Sequence, residues 1–277
     1  MWQSMVTIEA KRVQPRQPNC DLETVLKLEQ ANLNCFPSLM AHHDGSWISR
    51  LSPGGSARRN NSLNFYDAQD GDEAESRLDA ARTRFKRLET PFHVRWTPLV
   101  PTEVDQVLTS QNYARVVETL VLSRSIWGLG DTEVPAGYKL AEVSLGEWIS
   151  NYAQVSGVKR GEPLSETVQA LHDVLSRVTV ELIGLVLETE DGVPAAVLLG
   201  VVDGDLLGIF SVMTAEVFRR QGLAYALMCE VQRLGAERGA ETAWLQVVAD
   251  NVAAVELYDS LGYREAYAYH YCKDAQP

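Results

Sequence analysis

Cationic side chains are scarce in this chain. Its 277 residues hold 25 Lys and Arg against 37 Asp and Glu, a net charge of −12. Gripping a nucleic-acid backbone takes clustered cations that displace counterions, so nucleic acid is not an expected partner. No apolar run approaches the roughly 20 residues that a membrane-spanning helix needs, so no membrane partner is expected either. The start, Met1-Trp2-Gln3-Ser4-Met5, lacks the basic and then apolar stretches of a secretory signal. Cys20, Cys35, Cys229 and Cys272 are scattered, with no CxxC and no Cys/His spacing that suits zinc. They read as reduced thiols of a cytoplasmic protein, and no metal is expected. The pair His42-His43 falls in a stretch, His42-His43-Asp44-Gly45-Ser46, that reads as a solvated loop.

What is present is an ordinary globular composition, 45% hydrophobic and 22% charged, enough to bury a core. Residues 1–135 carry 15 basic and 17 acidic side chains and residues 136–277 carry 10 and 20, so nearly all the excess acidity lies in the second half. Residues 1–19 read as a tail. A first domain is expected over 20–127. Asp21 starts a helix, Trp47 to Leu51 and Ala57 to Tyr66 form a hairpin across Pro53-Gly54-Gly55, and an acidic loop over 67–73 leads to an amphipathic helix over 75–88. A strand over His93–Thr97, a helix from Pro101 and a strand from Ala114 follow. The Gly- and Pro-rich stretch 128–137 reads as a linker to a second domain over 138–277. That domain is expected to open with helices over 145–155 and 165–177. Three strands come next, Val180–Glu188, Ala195–Val202 and Leu206–Met213, with hairpin turns at Asp191-Gly192 and Asp203-Gly204. A helix from Gly222, a strand over Thr242–Val248, a helix from Asn251 and a strand from Tyr263 complete it. Sliding residues 92–125 by 150 positions onto 242–275 lays strand on strand and helix on helix, and places Ser110-Gln111-Asn112-Tyr113 on Ser260-Leu261-Gly262-Tyr263. Two similar halves are expected, in a mixed α/β fold whose sheet is flanked by helices.

The informative stretch runs from Met213 to Ala224. An apolar strand ends, a short loop turns, and a helix opens near Gly222. Free N–H groups at a helix start attract an anion, Arg219 and Arg220 add charge, and Gly222 lets a phosphate approach the backbone. The Lys-Ser/Thr of a P-loop is missing, so this cradle does not imply metal-assisted phosphoryl transfer. The other reading of the same residues is a plain helix start with two surface arginines.

Arg219-x-x-Gly222-x-Ala224 resembles the Arg/Gln-x-x-Gly-x-Gly/Ala signature of the GNAT superfamily of acyl-CoA-dependent N-acetyltransferases. Asn251-Val-Ala-Ala254-Val-Glu-Leu257-Tyr258-Asp-Ser-Leu261-Gly262-Tyr263 resembles that family's closing segment. The close resemblance covers about residues 180–273. The first half resembles the N-terminal half of tandem-GNAT proteins but has no Arg-x-x-Gly-x-Ala, and Leu108 and Pro101 stand where Tyr258 and Asn251 stand in the second half. It is therefore expected to lack a working cofactor site.

The resemblance implies a tandem GNAT fold, with a central mixed, mostly antiparallel sheet that splays beside Leu206–Thr214. It implies acetyl-CoA as cofactor. The backbone of Val212, Met213 and Thr214 would pair with its pantetheine arm. The loop Arg219, Arg220, Gln221, Gly222, Leu223, Ala224 and Tyr225 would hold its pyrophosphate, with Asn251 nearby. Tyr258 matches the family tyrosine that protonates the leaving thiolate. The reaction implied is direct attack on the thioester by a primary amine of a small molecule or peptide. Glu181, Glu188 and Glu216 are candidates for the base, and the spacing does not choose among them. A non-catalytic acyl-CoA-binding regulatory protein is the alternative, and the protein is expected to be a monomer or homodimer. The polar run Arg58-Arg59-Asn60-Asn61-Ser62 reads as an edge strand with solvated side chains, or else as a lining of the acceptor cleft.

Overall fold

The Asp21 carboxylate accepts from the Thr24 N–H at 2.8 Å and starts helix α1 (Leu22–Cys35). This is the first element of a computed structural model that describes residues 16–54, 57–127, 132–158 and 164–274. Strands β1 (Met40–Asp44), β2 (Trp47–Leu51) and β3 (Ser62–Phe65) follow, then helix α2 (Ala74–Arg87), strand β4 (Val94–Trp96), helix α3 (Thr102–Ser110) and strand β5 (Ala114–Ser125). Parts of the expected tail and linker lie outside the described residues.

Two expectations for this half are corrected. His42 and His43 belong to β1, an exposed edge strand paired with β2, not to a loop. Residues 58–60 form a turn of 3-10 helix rather than a strand, and Asn60 and Asn61 are buried rather than solvated. The reason is a side chain that competes with the ladder. Asn61 Oδ1 accepts from the Ser52 N–H at 2.7 Å, and Nδ2 donates to the carbonyls of Ser52 (3.2 Å) and Ala57 (3.4 Å), which curls the chain before β3 begins.

The second half holds β6 (Tyr138–Val143), α4 (Leu145–Val155), α5 (Glu166–Leu175), β7 (Glu181–Thr189), β8 (Pro194–Asp203), β9 (Leu206–Thr214), α6 (Leu223–Glu237), β10 (Thr242–Val248), α7 (Val252–Ser260) and β11 (Arg264–Lys273). Strand β6 was not expected. It is an edge strand whose Tyr138, Leu140 and Val143 are only partly buried against the apolar cores, so its sequence carries little hydrophobic signal.

Among the described residues all strands join one 11-stranded sheet in the order β1-β2-β3-β4-β11-β5-β10-β9-β8-β7-β6. The last strand of each half is thus exchanged. Strand β11 lies against β4 of the first half, β5 lies against β10 of the second, and the two exchanged strands pair antiparallel with each other. The internal repeat is visible atom by atom. Helices α3 and α7 are offset by 150 residues, and both end on a left-handed residue, Asn112 (φ 57°) and Gly262 (φ 84°). The Tyr113 and Tyr263 N–H groups close the same turn, onto the carbonyls of Leu108 (2.9 Å) and Tyr258 (3.0 Å). Each exchanged strand carries one bulge, beside Ala266 in β11 and beside Val117 (φ 57°) in β5.

Helices α1, α4 and α5 cover one face, where Val25, Leu28, Trp148 and Val174 share a core. Helices α6 and α7 cover the other face through Leu227, Val231 and Tyr258. Because α1 belongs to the first half and α4 to the second, that core also spans both halves. At its edge the fully buried Arg95 of β4 forks onto Glu29 of α1 at 2.7 and 2.8 Å, and the Tyr267 hydroxyl of β11 donates to the same carboxylate at 2.7 Å.

Removing one member of that pair leaves an uncompensated buried charge. Glu29→Ala is expected to destabilise the protein by about 3–5 kcal/mol in chemical denaturation, and Glu29→Leu combined with Arg95→Met by much less. A second expectation concerns acid. Burial, with Arg115 and Arg16 nearby, pushes the His270 imidazole down to about 4. The unfolded chain then binds a proton that the folded one refuses, so stability holds above about pH 6.5 and falls as pH drops toward 4. His270→Phe should flatten that part of the Tm-against-pH curve, and an unchanged slope would show that other groups control it.

Candidate active site

The site begins with a parting of two strands. Strands β9 and β10 run parallel and pair from Leu206↔Thr242 to Ile209↔Leu245, and there the pairing stops. Beyond that point β10 stays with β5 as far as Val248, while β9 stays with β8 as far as Thr214. A wedge opens between them. A bulge in β9 assists it, since Leu199 faces Phe210 but Val197 faces Met213, and Ser211 between them takes φ 52°. Val212, Met213 and Thr214 are half-buried and have a strand partner on one side only. Half of their backbone polar groups turn toward β8, and the rest face the wedge.

Past β9 the chain makes a 3-10 turn at Glu216–Phe218, passes Arg220 at φ 64° and enters α6 through Gly222 at φ 78°. Among the described residues nothing accepts from the N–H groups of Arg220, Gln221, Gly222, Leu223, Ala224 and Tyr225. A Cβ placed on Gly222 would meet no atom within 4 Å, which leaves the room a phosphate needs. Arg219 and Arg220 are exposed and form no salt bridge among the described residues. On the same helix Arg233 pairs with Glu230 and Glu237, and the following Arg238 pairs with Glu142 and Glu181. Leu223 puts its side chain into the core, so only its backbone faces the loop, whereas Tyr225 is half exposed. Tyr138 of β6 buttresses this loop. Its hydroxyl donates to Gln221 Oε1 at 2.7 Å and its ring stands edge-on to Phe218 at 6.2 Å. Sequence reasoning missed Tyr138 because it missed β6.

Tyr258 shares an apolar cluster with Val212 and Leu223 on the α6 side of the sheet. Its ring is buried against Tyr263, centroids 6.0 Å apart, and burial pushes its phenol up to about 12. Its hydroxyl has no hydrogen-bond partner among the described residues. Asn251 is the N-cap of α7, where Oδ1 accepts from the Ala254 N–H at 3.4 Å, so a structural role occupies that oxygen. Of the three candidate bases, Glu181 is taken by Arg238 at 2.9 Å, and Glu216 is exposed on the loop itself.

In the first half the loop that leads into α2 is tied to the β1–β2 turn by a carboxylate. Asp70 Oδ2 accepts from the Ser46 N–H (2.8 Å) and hydroxyl (2.7 Å), and Arg77, stacked 3.9 Å from the Trp47 ring, donates to Oδ1 at 2.7 Å. These donors hold the Asp70 carboxyl well below the usual carboxylate range. Glu73 takes the left-handed position before α2, and Asp72 and Glu75 flank it.

A cleft of about 1120 Å³ lies between the halves on the other side of the wedge. Phe36, Asn60 and Asn61 line it from the first half, Tyr152 and Leu171 from α4 and α5, and Ser211 of the bulge from β9. The polar run that read as a solvated edge therefore lines the cleft through its two asparagines. Among the described residues no group of His, Cys, Asp and Glu could hold a metal, and no helix is long and apolar enough to cross a membrane.

Residues 162–263 match the model of the acetyltransferase (GNAT) family. The chain is 23% identical over 256 residues to the uncharacterized N-acetyltransferase YobR of Bacillus subtilis (strain 168), covering 90% of this chain and 98% of that protein. It is 38% identical over 78 residues to the [ribosomal protein bS18]-alanine N-acetyltransferase of Escherichia coli (strain K12), a match that spans 28% of this chain and 53% of that enzyme. Among solved structures, a tandem GNAT protein from the clavulanic acid biosynthesis pathway superposes with a TM-score of 0.67 at 11% identity, covering 96% of this chain and 91% of that one. The second half thus carries a match to the GNAT family model, and the chain as a whole has the fold seen in solved GNAT structures, a tandem one among them. It is an N-acetyltransferase of the GNAT type.

Proposed function

We propose that this protein moves the acetyl group of acetyl-CoA to a primary amine, and that residues 138–277 do this work while residues 20–127 bind no cofactor. The observation that carries the reading is the wedge between β9 and β10, which ends at six N–H groups without an acceptor. Acetyl-CoA supplies a thioester whose carbonyl carbon accepts the amine. The backbone of Val212–Thr214 would extend the sheet onto the pantetheine amides. The amides from Arg220 to Ala224, with Arg219 and Arg220, would hold the pyrophosphate. A neutral amine is already a good nucleophile, so the contribution asked of the site is mostly positioning. The Val212 N–H is suited to the oxyanion, and the Tyr258 hydroxyl to the leaving sulfur as general acid. A phenol held near 12 stays protonated throughout the working range, which suits a proton donor. Asp72, Glu73 and Glu75 at the start of α2 support a first half without cofactor, because a pyrophosphate there would meet like charge. The chemistry fits a cytoplasmic enzyme acting on a small molecule or a peptide.

The reading is tested by thiol release from acetyl-CoA across a library of primary amines. Failure of every amine while acetyl-CoA still binds would overturn it. Arg219→Glu should weaken acetyl-CoA binding by about tenfold or more in calorimetry, with the difference shrinking as salt rises. Tyr258→Phe should lower kcat by about 100-fold and leave acetyl-CoA affinity within about twofold. Equal activity of that variant would remove Tyr258 from the mechanism.

A further inference from the structure

The first half reaches the mouth of the second half's wedge with one side chain. Arg59 leaves the 3-10 turn before β3 and lays its guanidinium carbon 5.0 Å from the ring centre of Phe36 and 5.4 Å from that of Phe210. Phe210 is the first β9 residue beyond the last pair with β10, and Ser211 at the bulge comes next. Arg59 also donates to Gln246 Oε1 at 3.4 Å, and Gln246 is the first β10 residue past the same point. Its guanidinium therefore lies over the mouth of the wedge, on the α1 side of the sheet where β9 and β10 part. Gln246 is held in turn by the Tyr269 hydroxyl (2.9 Å) and by its own donation to Asn32 (3.1 Å), so it is an oriented neutral partner. No carboxylate among the described residues pairs with Arg59.

A second cation behind it is also short of partners. Arg50 of β2 is fully buried, and its Nη2 donates to the Phe36 carbonyl. Its Nε and Nη1 have no hydrogen-bond partner. Arg59 and Arg95 both lie close enough to Arg50 to repel its charge, and the Glu29 carboxylate beside them is taken by Arg95 on both oxygens. Buried cations without a counter-charge are costly, and such an arrangement is stable when an anion joins it.

The position restricts which anion. The reacting amine must reach the thioester inside the wedge, at the bulge. A cation over the mouth of the same wedge can meet only a group that lies a few ångströms from that amine. An α-carboxylate fits, since it is two bonds from its amine, and guanidinium binds carboxylate in a forked pair. The rest of the acceptor then lies in the 1120 Å³ cleft, whose wall residues Glu166 and Asp173 disfavour a second carboxylate.

We propose that the acceptor is a free α-amino acid, and that Arg59 is the residue that holds its carboxylate. This rests on the acetyltransferase reading above and adds the substrate class. It gives the first half a task, because a residue of that half completes the acceptor site of the other.

The test compares L-amino acids with their own carboxamides in the intact protein, by initial rates of thiol release. The free acids are expected to exceed the amides by at least tenfold in kcat/KM, mainly through KM. Arg59→Met keeps the packing between the two rings and should raise KM for the acids about 10- to 100-fold while leaving the amides within about threefold. Arg59→Lys should restore part of the preference. Equal use of acids and amides by the native enzyme, or equal losses for both in Arg59→Met, would overturn the proposal. If no amine turns over, thermal shifts of the CoA-saturated protein with the same acid and amide pairs separate the two readings. A shift given by the acids alone and lost in Arg59→Met supports the carboxylate site even as the enzyme reading fails. No shift from the acids overturns the site.

Discussion

The exchange of β5 and β11 is the constraint from which the rest of the molecule follows. Each half builds its own hairpins and helices but lacks the strand that finishes its sheet, and obtains it from the other half. The antiparallel seam between the two exchanged strands then fixes the relative position of everything else. Because β5 holds β10 along its whole length, β10 can turn away from β9 without losing a partner, and the wedge stays open at no cost in unmade hydrogen bonds on that side. The wedge of the second half thus depends on a strand that the first half supplies.

The same symmetry sets two unlike helix starts side by side. In both halves a strand leads through a left-handed residue into a helix on the sheet. In the second half that residue is Gly222, and the amides around it are free. In the first half it is Glu73, and the nearby donors of Ser46 and Arg77 are satisfied by Asp70. What the first half retains is architecture: helix α1 in the shared core, the Glu29–Arg95 pair against β11, and two asparagines in the cleft wall.

Much of this was legible in the sequence, and the parts that were not have common physical causes. The helix starts at Asp21 and Gly222, the hairpins of β7 to β9 and the 150-residue repeat could all be read because their signals are local: a capping side chain, a turn glycine, a period. Strand β6 and the strand carrying His42 and His43 were missed because edge strands bury little and so show no apolar alternation. The Arg58–Ser62 run was misplaced because its shape is set by Asn61 bonding to Ser52, a partner nine residues away that no period announces. The loop before α6 could be read as a helix start at Gly222 from its local pattern. That Tyr138 props Gln221 and that Arg59 reaches the parting of β9 and β10 depend on tertiary contacts between distant segments, whereas the Asn251 cap is a local contact with Ala254.

The strand order also sets a timetable for folding. On a ribosome the first half emerges complete in its local signals, yet the outer side of β4 has no partner until β11 is made, some 170 residues later. Throughout that interval an open sheet edge, next to the buried Arg95 and its carboxylate, must wait in water or be shielded. The contact that closes the molecule is therefore among the longest in sequence, so a slow, late docking step is built into the topology.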